Sequence, residues 1–303
     1  MGAALPRFIA FGEALTDFIR QDDGARWVAR PGGSPWNVAR VAARLGVPAA
    51  FAGAVSRDVL GAELARASDQ AGLDPRFLQQ VDRPPLLAFV HQAHPPRYFF
   101  VGADSADLHF DPDRLPAGWL QAVVAVHFGS ISLAREPLAG RLVRLAERCR
   151  AAGAHLTFDP NHRVAMGEGW PAVAERLVRL AQVVKLSDDD LAQLLPDLPE
   201  ADALARLREW NPEAVLLYTR GARGIRLMAP GCVIDRPAVP VQVVDTVGAG
   251  DACLGGWIAS WLERPAAPLA RHLDFAAATA AAVCERAGAH APSGAEVEAV
   301  LAR

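Results

Sequence analysis

The chain has 303 residues, of which 51% are hydrophobic, and a net charge of −3 at pH 7. This length and composition can bury a large core, and we expect one domain over residues 1–303 with a small appendage. Acidic and basic residues are interspersed, which argues against nucleic acid or a membrane surface as a partner and favours a small molecule.

The cysteines and the N-terminal segment indicate a compartment. Residues 1–15 lack a long apolar stretch with a cleavage site, and the apolar run from Phe275 to Cys284 is too short to cross a bilayer. The cysteines are scattered without a Cys-x-x-Cys pair, which is typical of buried free thiols. They are Cys149, Cys232, Cys253 and Cys284. We therefore expect a soluble, cytoplasmic protein.

Short apolar strands alternate with helical segments along the chain. The first four are strand, helix, strand and helix, at Phe8 to Phe11, Trp36 to Leu45, Ala49 to Val55 and Ala62 to Ala71. Later strands are predicted at Val123 to Phe128, His155 to Phe158, Val183 to Leu186 and Val215 to Tyr218, with helices at Glu136 to Ala152 and Ala172 to Ala181. The order predicts an α/β fold with a doubly wound, mostly parallel sheet flanked by helices.

Two segments interrupt this alternation. Leu15 to Val28 and Leu86 to Val101 are strand-like without intervening helices, and the second contains a turn at His94-Pro95-Pro96. They predict a small antiparallel sheet that is exposed on one face. Residues 287–303 look like a last short helix.

The segment Asp245-Thr246-Val247-Gly248-Ala249-Gly250-Asp251 is the most informative in the chain. The small residues Gly248, Ala249 and Gly250 let backbone N–H groups turn toward one point where a helix begins, and such a helix start binds anions. Asp251 is then either an ordinary helix-start residue or a group that takes a proton from an attacking hydroxyl beside a transferring phosphoryl group.

This segment, with the Gly255-Gly256 pair that follows, resembles the second signature of the ribokinase-like (PfkB) sugar kinases. Far upstream, Pro31-Gly32-Gly33-Ser34-Pro35-Trp36-Asn37-Val38-Ala39 is similar to the segment by which that family binds its sugar. The two motifs occur in the family's order, one near each end of the chain. The resemblance implies an ATP- and Mg²⁺-dependent sugar kinase in which Gly248, Ala249 and Gly250 form the anion hole and Asp251 is the base. It also implies that about 13–31 and 86–105 form a lid over the sugar.

The resemblance assigns the sugar-binding residues to the N-terminal half. Asp17 stands at the family position that accepts hydrogen bonds from sugar hydroxyls. Gly32, Gly33 and Asn37 would approach the sugar through backbone and amide groups. A carboxylate that only the matching hydroxyl satisfies discriminates strongly between sugars.

Three further side chains bear on which sugar binds. Strand alternation places Tyr98 and Phe100 on one face, where they are either core or a wall against the sugar ring. Three roles are open for Arg163, which follows the Phe158 to Asn161 segment. It holds sugar hydroxyls, it holds the carboxylate of a sugar acid such as 2-keto-3-deoxygluconate, or it caps the end of the strand. Pro31 to Asn37, Phe128 to Pro137 and Phe158 to Arg163 together resemble the fructokinase branch, so fructose is the expected substrate. A kinase for 2-keto-3-deoxygluconate or a ribosyl compound, or a non-catalytic sugar sensor, remains the alternative.

The nucleotide side is assigned less directly. No Gly-x-x-x-x-Gly-Lys occurs, which excludes a P-loop ATPase. Thr219-Arg220-Gly221-Ala222-Arg223-Gly224 resembles the family's nucleotide segment Thr-x-Gly-x-x-Gly, with Thr219, Gly221 and Gly224 in the matching positions, although two strands joined by a turn explain the glycines equally well.

The segment that begins at Lys185, the single lysine of the chain, gives further nucleotide-site candidates in Lys185 and Ser187. Ser187 and Asp190 occupy the positions of the family's usual Asn and Glu. Asp190 then either orders Mg²⁺ through water or completes a helix capping box with Ser187.

A K⁺ ion and a homodimer are also implied by the resemblance. The ion would lie beside the anion hole, held by Asp245, the Val247 carbonyl and carbonyls of residues 286–289. The alternative is that Asp245 only caps the turn. The homodimer would form through the lid.

Overall fold

The computed structural model describes residues 4–21, 24–92 and 97–303. The strands are β1 (Phe8–Phe11), β2 (Leu15–Arg20), β3 (Trp27–Gly32), β4 (Ala49–Ser56), β5 (Leu78–Val81), β6 (Leu87–Gln92), β7 (Arg97–Val101), β8 (Ala125–Gly129), β9 (His155–Asp159), β10 (Val183–Ser187), β11 (Val215–Thr219), β12 (Ile225–Ala229) and β13 (Cys232–Arg236). The helices are α1 (Ser34–Arg44), α2 (Val59–Gln70), α3 (Trp119–Ala122), α4 (Leu138–Ala151), α5 (Trp170–Leu180), α6 (Asp188–Leu194), α7 (Glu200–Trp210), α8 (Ala249–Glu263), α9 (Leu269–Cys284) and α10 (Gly294–Leu301).

A large sheet forms the centre of the described structure, with strand order β13-β12-β11-β10-β9-β8-β1-β4-β5. In this order, every pair of neighbours from β11 through β1 to β5 is parallel. Strands β12 and β13 extend the sheet as antiparallel strands. Apolar clusters cover both faces of the sheet, which is why strands such as Phe8–Phe11 are wholly buried. The predicted doubly wound α/β fold is confirmed.

The predicted elements are present with shifted ends. Helix α1 begins at Ser34, before the predicted Trp36, because Gly33 adopts φ 116° and Pro35 fits in the first turn, where its missing N–H has no intrahelical partner. Helix α4 begins at Leu138 after Pro137. The last short helix is α10.

The second sheet has strand order β3-β2-β6-β7. Strands β2 and β3 form one antiparallel hairpin, β6 and β7 form another, and β2 pairs with β6 in parallel. The predicted antiparallel arrangement therefore holds within each hairpin but not between them. The chain passes through α1 to β5 between the hairpins, and such a long crossover permits parallel pairing. The turn predicted at His94-Pro95-Pro96 lies outside the described residues.

Helices α1 and α8 lie unusually close together. A Cβ on Gly255 would lie 2.7 Å from Val41 Cγ1 and 3.2 Å from the Val38 carbonyl oxygen, so glycine at this position permits the contact. Helix α8 is largely buried along its length, from Asp251 to Leu262. Within the described part of the chain, no helix has the length and apolar character required to span a membrane.

Candidate active site

The candidate catalytic group Asp251 lies in the first turn of α8. This helix begins after Gly248, which has φ 81°. The carboxylate is buried and accepts two hydrogen bonds from α1, from Ser34 Oγ to Oδ1 at 2.6 Å and from Asn37 Nδ2 to Oδ2 at 2.8 Å. Burial raises the pKa of Asp251, and the bonds from Ser34 and Asn37 partly oppose the rise. The fold thus joins the two glycine-rich motifs at one carboxylate.

Lys185 lies directly beneath the segment Gly248 to Gly250, which we call the glycine loop. Its Nζ donates to Asp159 Oδ2 at 2.7 Å, and an added Cβ on Gly250 would lie 2.8 Å from this Nζ. Burial alone would lower the pKa of Lys185, but Asp159 and Asp190 together raise it above its ordinary value. Burial also raises the pKa of Asp159, to about 6, against the opposing effect of Lys185. We therefore describe this pair as ionised, with the ammonium charge placed where an anion would bind.

Asp17 lies against the glycine pair of the upstream motif. It is on β2 opposite Arg30, and an added Cβ on Gly32 would lie 2.1 Å from Asp17 Oδ2. A Cβ on Gly33 would lie 2.5 Å from the Glu13 carbonyl oxygen, at a backbone φ of +116°. Gly33 is thus required by its backbone contact and positive φ, whereas Gly32 leaves room for the Asp17 carboxylate. Burial raises the pKa of Asp17 to about 7, although the nearby charge of Arg163 opposes the rise.

Arg163 and Tyr98 meet across the site. The guanidinium carbon of Arg163 lies 5.3 Å from the centroid of the Tyr98 ring, and Nη1 donates to the carbonyls of Asn161 and His162. Tyr98 packs edge-on against Phe100 with ring centroids 5.6 Å apart. The register places Asp17, Ala88 and Phe100 in one row, so these side chains share the face that looks toward Arg163. Their predicted roles in sugar binding stay predictions.

The Ser187 and Asp190 pair forms the capping box at the start of α6. Asp190 Oδ2 accepts from Ser187 N and Oγ, and Oδ1 accepts from the backbone N–H of His162 at 2.7 Å. Burial would raise the pKa of Asp190, but Lys185 and these hydrogen bonds hold it below its ordinary value. Oδ2 thus has two protein donors and Oδ1 has one, so Oδ1 keeps a lone pair that a metal-bound water can use. The Mg²⁺ role of Asp190 stays a prediction.

The candidate nucleotide segment joins β11 to β12. Thr219 is paired with Ser187 in the parallel register, at the same sheet edge as Lys185. Gly221 and Gly224 both have positive φ, and a Cβ on Gly224 would lie 2.0 Å from the Arg236 carbonyl oxygen. The turn alone thus explains both glycines, and their contact with nucleotide stays a prediction.

Asp245 connects the glycine loop to the segment after α9. Its Oδ1 accepts from Val247 N at 3.0 Å and its Oδ2 from Gly288 N at 2.8 Å. A Cβ on Gly248 would lie 2.9 Å from Ala289 Cβ, so the two segments are in contact. Asp245, Val247 and the segment 286–289, which are expected to hold K⁺, therefore lie close together.

The structure adds residues that the sequence pattern did not identify as site residues. Ser34 contacts the candidate base, and the buried Glu13 is hydrogen-bonded by Ser132, which also donates its backbone N–H. Before the glycine loop, Val243 and Val244 are each 61% exposed, which is unusual for valine. Ser34 and Asn37 are three residues apart at a helix start, and this spacing is the one signal that could have identified Ser34.

The comparisons with known proteins agree with the fold. The profile of the pfkB family carbohydrate kinases matches residues 6–295. The chain is 33% identical to Fructokinase-1 of Oryza sativa subsp. japonica, an alignment covering 96% of this chain and 95% of that one. It is also 33% identical to the fructokinase of Klebsiella pneumoniae, over 82% of both chains. The chain belongs to the pfkB family of carbohydrate kinases and is a sugar kinase.

Solved structures show the same similarity. The fructokinase of Xylella fastidiosa, determined with bound ATP, superposes with a TM-score of 0.89 at 28% identity, covering 98% of this chain and 99% of that one. The aminoimidazole riboside kinase of Salmonella enterica, complexed with aminoimidazole riboside and an ATP analogue, gives 0.85 at 27% identity, over 97% and 99% of the chains.

The raised pKa of Asp17 predicts a pH-dependent cost in stability. The folded-state pKa is about 7 and the ordinary value is 3.8, so the folded protein binds more protons between these pH values and stability falls as pH rises through that window. Asp17→Asn removes this cost. We expect the variant to exceed the wild type in unfolding free energy by up to a few kcal/mol at pH 8, with the gain vanishing below about pH 4.

Urea unfolding from pH 4 to 8 measures the difference. Asp113→Asn, at an exposed carboxylate, is the matched control and should show no such trend. A stability difference for Asp17→Asn that is independent of pH would contradict the assignment.

Proposed function

We propose that the protein transfers the γ-phosphoryl group of ATP to the primary hydroxyl of fructose. The observation that carries this proposal is the position of Asp251, a buried carboxylate with raised pKa where the upstream glycine motif meets the anion-binding helix start. The names of the relatives from Oryza sativa and Klebsiella pneumoniae support fructose as the substrate.

In the proposed reaction Asp251 accepts the proton of the sugar hydroxyl as its oxygen attacks the γ-phosphorus. The new O–P bond forms while the bond to the β-phosphate oxygen breaks, and ADP leaves. Gly248 and Gly250 would present backbone N–H groups to the transferring group, while the N–H of Ala249 donates to the Thr246 carbonyl at 3.2 Å. Lys185 adds a fixed positive charge under Gly250. Mg²⁺ would neutralise phosphate charge, with Asp190 holding one of its waters.

The nucleotide would lie along the edge formed by Ser187, Thr219 and the glycine loop. Val243 and Val244 offer an exposed apolar surface beside that loop, suited to the flat face of a base. We also infer a cytoplasmic location, because ATP is the co-substrate and the cysteines of the described residues are free thiols.

A second candidate is a sugar acid. Arg163 is held by two backbone carbonyls with its guanidinium against Tyr98, and a fixed guanidinium suits a substrate carboxylate. Phosphorylation of 2-keto-3-deoxygluconate is therefore the main alternative. The similarity to the aminoimidazole riboside kinase of Salmonella enterica supports a ribosyl compound as a further alternative substrate.

An ADP-release assay over fructose, 2-keto-3-deoxygluconate, ribose and a ribonucleoside tests the proposal. We expect the highest kcat/KM with fructose. Asp251→Asn should lower kcat by about 10² or more with little change in the KM values, as expected for loss of a positioned base. Asp113→Asn is the control. Near-normal turnover of Asp251→Asn would remove Asp251 from the mechanism, and a preference for the sugar acid would select the alternative.

We propose that K⁺ supports the glycine loop through Asp245. The carboxylate joins the loop to residue Gly288, so an ion there would order the N–H groups that face phosphate. Replacing K⁺ by tetramethylammonium at fixed ionic strength should lower kcat and leave the KM for sugar almost unchanged. Equal activity in both salts would contradict a functional cation.

We propose that the four-stranded sheet is the lid of a single kinase domain and that two copies pair through its outer face. The register places Phe18, Phe89 and Phe99 in one row on the face opposite Asp17, with stacked ring centroids 5.1 Å apart, and Trp27 packs against Phe89. Phe99 remains 50% exposed. Exposed aromatic rows of this kind mark interaction sites.

Sedimentation velocity tests the pairing. We expect a wild-type dimer and a monomer for Phe99→Lys. Val233→Lys places the same charge at a valine that is 65% exposed on β13, and it should remain dimeric. A monomeric wild type would contradict the pairing, as would a dimeric Phe99→Lys variant.

A further inference from the structure

The carboxylate of Asp251 is held by side chains of another helix. Ser34 Oγ lies 2.6 Å from Oδ1 and Asn37 Nδ2 lies 2.8 Å from Oδ2, so each oxygen has one donor. Ser34, Asn37 and Asp251 are 7%, 8% and 9% exposed, which means that water competes little for these bonds. Such buried hydrogen bonds to a charged group fix its orientation.

The two helices are built to make this contact. Ser34 and Asn37 are separated by three positions on α1 and therefore share a face with Val38 and Val41. Asp251 and Gly255 are separated by four positions on α8 and share the opposing face. Because Gly255 has no side chain, α8 approaches Val41 closely enough for Asp251 to reach Ser34.

We propose that Ser34 and Asn37 are positioning residues that fix the orientation and proton affinity of Asp251. The expected role of Asn37 was contact with the sugar, but its amide nitrogen is engaged by the candidate base. The motif predicted to bind sugar would thus also prepare the proton acceptor. This inference rests on the proposed function only in making Asp251 the acceptor of the sugar proton.

Charged groups from several elements face Asp251 in addition to these neutral donors. Lys185 from β10 and Arg163 from the loop after β9 favour its ionised form. Asp17 from β2 and Asp159 from β9 repel it. Loss of the Ser34 hydroxyl would leave these charges in place and remove one donor to the carboxylate. The protonated form then becomes relatively more stable.

The kinetic test compares Ser34→Ala with Ser34→Thr, which keeps the hydroxyl, and with Asn37→Ala, which removes the other donor. Ser34→Ala should lower kcat about tenfold, change the sugar KM by less than about threefold, and move the acid limb of the kcat profile to higher pH. Ser34→Thr should restore the limb. Ser260→Ala, which removes another buried hydroxyl from α8, should leave the profile unchanged.

A second readout does not depend on turnover. In protein labelled with ¹³C at aspartate carboxyl carbons, the resonance lost in Asp251→Asn identifies Asp251, and its titration midpoint should rise in Ser34→Ala and in Asn37→Ala. Unchanged midpoints in both variants would overturn the inference. An increase in sugar KM at constant kcat would instead make Ser34 a sugar ligand. If no sugar in the panel is phosphorylated, the proposed function fails and the titration still decides the inference.

Discussion

Buried negative charge is the constraint on which this site depends. Glu13, Asp159 and Asp251 are buried and Asp17 is half-buried, and desolvation raises the pKa of all four carboxyl groups. The main opposing charges on the described residues are Lys185 and Arg163. Placing a polyphosphate beside these carboxylates would be unfavourable unless the positive charge were fixed nearby. The pair of Lys185 with Asp159 keeps an ammonium directly under the glycine loop, and this explains why the ammonium is buried at all.

Much of this site follows from the sequence because backbone geometry depends on local residue type. The alternation of strands and helices predicted the large sheet, and the apolar run after Asp251 predicted a helix, which begins after Gly248 at a φ of 81° that glycine readily adopts. The parallel pairing of β2 with β6 could not be read from the pattern, because each hairpin looks the same whichever neighbour it joins. Asp190 shows a similar ambiguity, since a capping box and a water-mediated metal site use the same residue types.

Contacts between distant segments were the least predictable feature. Ser34 and Asp251 are 217 residues apart, and nothing in either local sequence specifies the other. Their contact depends on the crossing of α1 and α8, which is set by Gly255 against Val41 and by the packing of both helices on the sheet. The residue types were visible in the sequence, but their joint role required the packed structure.

The packing of α1 against α8 also fixes part of the site before the substrates bind. Asn37, one of the residues expected to meet the sugar, and the candidate base Asp251 lie on α1 and α8, which pack against each other and are hydrogen-bonded through these two side chains. The groups expected to meet nucleotide lie on separate strand ends and loops, including the exposed Val243 and Val244. Because interactions fixed before binding cost no further ordering, the Asn37 and Asp251 pair is the preorganised part of the site. The remaining ordering falls on the lid strands and the glycine loop, the parts that must admit and release the reactants.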